Sequence, residues 1–294
     1  TPNTNHTGFY VAKNKGYYKE AGLDVDIIEP GDNATTSMVA AGKADFGVSY
    51  QEDVTYALTS EDPLPIKTIA TIIQHNTSGF VSLKSANINS VKDFEGKTYA
   101  GWGAPSEEAV IKAVMNEAGA DFNKLTIVGS DGSGIAGLSD EVGKNKVNLG
   151  WEFYGWAIIK AMQDGYDVNY MPLADLDSRL DYYTPVIITN NKMIKKNSDT
   201  VKKFMEATKK GYEYAIDHPN KAAEILHEDA LKDTDMKFLK ESQKYLSSQY
   251  AKDADSWGVM KDSVWNNYTD FMYETGLINK KIDAKDQYTN EFVK

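Results

Sequence analysis

Residues 1–24 read TPNTNHTGFYVAKNKGYYKEAGLD. The stretch opens with a polar, turn-prone run, Pro2 to Gly8, and passes into an aromatic, Lys-rich segment at helical spacing. It stops at Gly22, ahead of the strand-like Val25-Asp26-Ile27-Ile28. Turn and cap chemistry predict loop, helix, glycine stop and strand in that order. Backbone N–H groups and Asn side chains just before a helix make a good place to hold a small polar molecule. An ordinary surface loop has the same composition, so the rest of the chain must decide between the two. Thr1-Pro2 also reads as a loop leaving a strand, which leads us to expect a leader, and with it a first strand, upstream of residue 1.

Working outward, residues 37–45 (SMVAAGKAD) predict a short helix ending near Gly42, and FGVSY at 46–50 a brief strand. The end of that strand presents Ser49, Tyr50 and Gln51. A helix over 52–60 and a strand over 66–73 follow. Alternating strand and helix predicts an α/β layer with a largely parallel sheet, whose ligands sit beyond the carboxyl ends of the strands. Residues 76–85 run on in extended form, a first crossing into a second domain. That domain carries strands at 98–102, 125–128, 147–151 and 168–171. Its helices are expected at 107–118, with Ser106 as N-cap, and at 154–163. An extended return over 183–189 leads to helices at 199–217, 220–227, 237–250 and 256–275, in which Trp257, Trp265, Phe271 and Tyr273 read as core. Two crossings, near 80–85 and 183–189, place the second domain inside the first. Lobe 1 is then 1–82 with 184–294, and lobe 2 is 83–183, the plan of a hinged clamshell with a ligand cleft.

The 294-residue length suits two domains. With 41% hydrophobic residues, 18 Tyr and 5 Trp, the chain can build a large core and many stacking surfaces. Its 43 acidic and 32 basic residues leave a net charge of −11, which argues against nucleic acid as a partner. Without a cysteine there is no disulfide, no thiolate metal site and no Cys nucleophile. No apolar run is long enough to span a membrane.

The run Gly132-Ser133-Gly134-Ile135-Ala136-Gly137 matches a dinucleotide-binding G-x-G-x-x-G and follows a predicted strand. The stretch after it is short, charged and interrupted by Gly143, and Glu152 comes too soon to serve as the ribose-binding acid. A loop is the better reading, and no cofactor is expected. His6, His75, His218 and His227 share no metal-ligand spacing, so no metal is expected. His218 and His227 read as solvated. No nucleophile elbow or carboxylate pair stands out, so the chain offers an enzyme little. Aromatic residues with polar companions do recur at predicted strand ends: Tyr50-Gln51, Trp102, Trp151 to Trp156, and Asp181 to Tyr183. A planar heteroaromatic ligand needs such faces and a few edge hydrogen bonds.

Six segments carry a family resemblance: TPNTNHTG (1–8), SYQED (49–53), IQHNTSG (73–79), GWGAPSEEAVI (101–111), FYGW (153–156) and LDYYTPVIIT (180–189). In these the chain resembles the solute-binding proteins of ATP-driven importers for thiamin pyrimidine precursors, the hydroxymethylpyrimidine and formylaminopyrimidine binders. The resemblance implies a type II periplasmic-binding-protein fold, a monomer, a permease and an ATPase as partners, and a lipid anchor on the extracellular face of the membrane in a Gram-positive cell, or a periplasmic location in a Gram-negative one. It puts Asn3, Asn5 and His6 at the pyrimidine edge with Tyr50 and Gln51 beside them. Trp102, Ser106, Glu107, Tyr154 and Trp156 come from the facing lobe, and Tyr183 from the return strand. The family has a Trp just ahead of TPN, and often an acid directly after FYGW. This chain has Ala157 there, and Glu152 precedes the motif instead, a candidate reader of the ring amine. Pyrimidine phosphate synthases share the fold and resemble the chain around His6, but rely on a Cys-rich motif that is absent. Among binding proteins, thiamin, riboflavin and sulfonates are the alternative ligands.

Overall fold

The most apolar strands of the chain, IKTIAT at 66–71 and VIITN at 186–190, are buried along nearly their whole length. A strand apolar on both faces must lie inside layers, and this pair nucleates the first of two compact units in the computed structural model, which describes residues 1–294. The first unit comprises Thr1–His75, Tyr182–Tyr273 and Ile278–Lys294; the second comprises Asn76–Asp181 with Glu274–Leu277. Residues 76–82 thus fall in the second unit and 182–183 in the first. The crossings precede 80–85 and 183–189, because both of those extended runs are spent as strands inside their own sheets.

The first unit holds β1 (Phe46–Ser49), β2 (Ile66–Thr71) and β8 (Val186–Asn190), in the order β1-β8-β2. Both neighbours run antiparallel to β8. The expected parallel sheet is corrected here. β8 enters from the other unit, not from a helical crossover, so the rule that makes βαβ strands parallel does not act on it. In the second unit β3 (Ser78–Leu83), β4 (Thr98–Gly101), β5 (Thr126–Gly129), β6 (Leu149–Phe153) and β7 (Val168–Pro172) are ordered β5-β4-β6-β3-β7. β4 is parallel to β5 and β6, and β3 is antiparallel to β6 and β7. This sheet is mixed.

The opening stretch differs from its reading in two ways. Helix begins earlier, as a single 3-10 turn over Thr4–His6 continuing into Thr7–Asn14, and Gly16 at φ +77° ends it before a separate turn at Tyr17–Glu20. A left-handed residue cannot continue a right-handed helix, which divides the expected single helix. Val25 to Ile28 form no strand, and Ile28 is exposed, because alternation without a neighbouring strand satisfies no backbone group. The Thr7–Asn14 helix packs on Ser198–Asp217 through two glycines. A Cβ on Gly8 would overlap the Tyr212 ring, and one on Gly211 would overlap the Gly8 carbonyl oxygen.

Around that contact lies an aromatic core. Tyr212 stacks on Trp257 at 4.6 Å and meets Phe9 edge-on at 5.6 Å, and Phe46 stacks on Phe204 at 3.8 Å. Each such buried ring contributes about 2–3 kcal/mol by area alone. Trp257, Trp265 and Phe271 are core as expected, whereas Tyr273 is exposed on its helix.

Candidate functional site

In the first unit the TPNTNH segment is a closed hydrogen-bonded cap. Asn3 Oδ1 accepts the Asn5 N–H at 2.8 Å, and His6 Nδ1 accepts the Asn3 N–H at 3.1 Å. This is a capping box with histidine in the place usually held by Glu or Gln. Because Nδ1 is an acceptor, the proton of the neutral ring sits on Nε2, which makes that atom the donor of the imidazole. Burial, aided by the N-terminal ammonium, lowers the His6 pKa to about 4, so the ring is neutral at physiological pH. The segment therefore offers amide and imidazole groups without charge.

Tyr50 is the residue ahead of the Gln51–Thr59 helix and is 48% exposed. It lines a groove of about 490 Å³ with Thr35, Thr36, Asp53, Tyr56 and Asp62. The lining contains carboxylates and hydroxyls but no Lys, Arg or His. Desolvation raises the Asp53 pKa and, with the charges of Glu52 and Asp53, pushes Tyr56 up to about 12. The sequence reading passed over Thr35, Asp53 and Tyr56. Asp53 and Tyr56 follow Tyr50 at steps of three, a helical spacing that marks one face.

Gln51 and Tyr183 do not line that groove. Gln51 is fully buried, its Oε1 accepting the Tyr183 N–H at 2.8 Å and its Nε2 donating to the Val264 carbonyl at 3.1 Å. Tyr183 is 1% exposed, with its hydroxyl accepting the Lys261 N–H at 2.9 Å. Both residues are thus buried and bonded within their own unit.

In the second unit, Ser106 and Glu107 are likewise buried. The N-cap of Pro105–Glu117 is Ala104 with Pro105 at the first helical position, so Ser106 lies inside the helix and is not its cap. Glu107 turns back on the preceding turn. Its carboxylate accepts the Tyr99 hydroxyl at 2.5 Å and the Trp102 and Gly103 N–H groups at 3.2 and 3.0 Å. Glu107 thus holds the turn that leaves Trp102 59% exposed, its ring 5.1 Å from that of Trp151. Trp151 and Glu152 are adjacent on β6 and project to opposite faces of the sheet. Glu152 is half-buried, has no ion-pair or hydrogen-bond partner for its carboxylate, and has its pKa raised by desolvation. It lies near the glycine run, where only a 3-10 turn at Gly134–Gly137 follows β5 and no dinucleotide-binding helix forms. Tyr154 and Trp156 sit on the π-helical turn Tyr154–Ile158, with the Tyr154 ring 5.2 Å from Tyr170.

The tertiary structure is a periplasmic-binding-protein fold. The periplasmic aliphatic sulphonate binding protein SsuA from Escherichia coli superposes with a TM-score of 0.72 at 13% identity, covering 98% of this chain and 97% of that one. Residues 3–222 match the family described as NMT1/THI5 like, and the chain belongs to that family. It is 29% identical over 231 residues to the formylaminopyrimidine-binding protein of Halalkalibacterium halodurans, across 76% of this chain and 67% of the relative. It is 24% identical over 234 residues to a 4-amino-5-hydroxymethyl-2-methylpyrimidine phosphate synthase of Legionella pneumophila, across 76% and 69%.

Proposed function

We propose that this chain is the solute-binding subunit of an ABC importer, and that it captures a thiamin pyrimidine precursor of the hydroxymethyl- or formylaminomethyl-aminopyrimidine class. The observation that carries the reading is the uncharged cap of Asn3, Asn5 and His6, whose imidazole is fixed as an Nε2–H donor. Such a surface suits the nitrogen edge of a neutral heterocycle. Tyr50, Trp102, Tyr154 and Trp156 supply ring faces, and Glu152 supplies an acceptor for an exocyclic amine. The match to a formylaminopyrimidine-binding protein supports the same ligand class. Delivery to a permease and its ATPase, from a lipid-anchored position outside the cell, completes the reading. No helix is long and apolar enough to cross a membrane.

The synthase reading is favoured by the Legionella relative. Against it stands the absence of cysteine, since the synthases, which the chain resembles around His6, rely on a Cys-rich motif. A sulfonate is disfavoured by the groove beside Tyr50, whose charged lining residues are all acidic.

Calorimetric titration with the formylaminomethyl and hydroxymethyl aminopyrimidines, thiamin, riboflavin and an alkanesulfonate tests the proposal. An aminopyrimidine is expected to bind most tightly and to be recovered unchanged. Preference for the sulfonate or for riboflavin overturns the ligand class, and turnover of the pyrimidine overturns the binding role.

A further inference from the structure

Besides its own capping box, the 3–8 segment is anchored by side chains from far along the chain, Tyr212, Ser242, Gln243 and Tyr250, all of them buried. Tyr212 donates to the Asn5 carbonyl at 2.6 Å, and Tyr250 donates to the Thr4 carbonyl. The Thr4 hydroxyl meets that of Ser242 at 2.7 Å, and Thr7 donates to Gln243 Oε1 at 2.6 Å. Gln243 Nε2 donates onward to Tyr250 at 2.9 Å and to Ser247 at 3.1 Å, and Ser247 donates to the Ala215 carbonyl at 2.7 Å. Gln243 and Tyr250 are fully buried.

The surrounding acceptors assign the orientation of the Gln243 amide, with the single Thr7 hydroxyl proton facing both Gln243 Oε1 and the Thr4 carbonyl at 3.1 Å. The Thr4 and Ala215 carbonyls can only accept, so Tyr250 and Ser247 spend their protons on them. Both hydroxyl oxygens must then accept from Gln243, which makes the atom facing them the NH₂ group and the atom facing Thr7 the carbonyl oxygen. A carboxylate or a flipped amide would leave buried groups unpaired.

We infer that Gln243, Ser242 and Tyr250 are positioning residues for ligand binding: they touch no ligand, and they set the backbone from which Asn3, Asn5 and His6 present their groups. The inference rests on the proposed use of that segment as the pyrimidine edge. A hydroxyl that merely filled the core would add stability without fixing the segment. Tyr18, whose hydroxyl meets Thr208 at 2.7 Å in the same core but away from residues 3–7, is the matched control.

The experiment compares Tyr250→Phe with Tyr18→Phe by two readouts. The first is the titration of the His6 imidazole in nitrogen-15 NMR spectra, with the signal identified by its loss in His6→Gln. With its pKa lowered by burial to about 4, the ring of the unmutated protein is expected to titrate there. In Tyr250→Phe the loosened segment is expected to bring the midpoint up by about one unit or more, as burial is lost, with no change in Tyr18→Phe. The second is affinity for the hydroxymethyl aminopyrimidine, expected to fall about tenfold in Tyr250→Phe alone. Should Tyr250→Phe not fold, Ser242→Ala removes a single hydroxyl facing Thr4 and carries the same comparison. An unchanged His6 midpoint in the anchoring variants, or an equal change in Tyr18→Phe, overturns the inference. If the unmutated protein binds no pyrimidine, the ligand reading fails, while the His6 midpoint still decides whether the anchors position the segment.

Discussion

The imidazole of His6 accepts the backbone N–H of Asn3 at 3.1 Å, and this bond fixes the tautomer of the neutral ring. Burial, with the N-terminal ammonium second, lowers the folded pKa to about 4, below the ordinary 6.5. The unfolded chain binds the proton more readily than the folded one. The contribution of His6 to stability is therefore full above pH 6.5, and is lost as pH falls from 6.5 through 4. The shift corresponds to at most about 3 kcal/mol, and less where solvent screens the ring.

His6→Gln isolates that term. Glutamine can accept the same Asn3 N–H in a capping box but does not titrate. Chemical denaturation from pH 7 to pH 4 is expected to show a steeper loss of stability in the unmutated protein than in His6→Gln. Parallel curves would contradict a neutral, capped His6.

Glu107 is expected to matter through the turn it holds. In Glu107→Gln the carboxamide can accept at one atom only, against two backbone N–H groups and the Tyr99 hydroxyl. A cost of about 2–3 kcal/mol in denaturant unfolding should result. Trp102 emission should shift as its turn loosens, whereas a purely global effect would leave the native-state spectrum unchanged.

The Gly8–Gly211 contact leaves no room for a methyl group, since either Cβ meets backbone or a fully buried ring. Gly211→Ala should destabilise by about 3 kcal/mol, despite the better helix propensity of alanine. A melting temperature at or above that of the unmutated protein would mean the two helices can separate without penalty.

How far the sequence reaches is clear from particular residues. The helix Ser198–Asp217 was legible because Val201, Phe204, Met205 and Tyr212 repeat at helical spacing, and all are buried. Strand direction was not, since β8 takes partners from 46–49 and 66–71 that no local pattern announces. Tyr50 and Trp102 were legible as exposed aromatics at strand ends. Gln51 and Glu107 look the same in sequence, yet both are buried and bond to their own chain. The partners of Gln51 lie 132 and 213 residues away, so only the folded chain reveals these bonds.

Glu152 supplies the sharpest test of the ligand. It is a half-buried carboxylate with no partner in the chain, and desolvation raises its pKa. An exocyclic amine can donate to it, whereas the oxo analogue of the same pyrimidine presents an oxygen and leaves the carboxylate facing an acceptor. Losing a charge-assisted bond and opposing two acceptors should separate the two ligands by about 1.5–3 kcal/mol, roughly one to two decades in affinity. Glu152→Gln can both donate and accept, so it should narrow the gap by weakening the amine ligand and strengthening the oxo one. Titration of both ligands against both proteins gives the full cycle. A carboxylate that only faces solvent would leave all the affinities unchanged by the substitution. Equal binding of amine and oxo analogues by the unmutated protein would remove the amine from recognition altogether, and with it the role of Glu152.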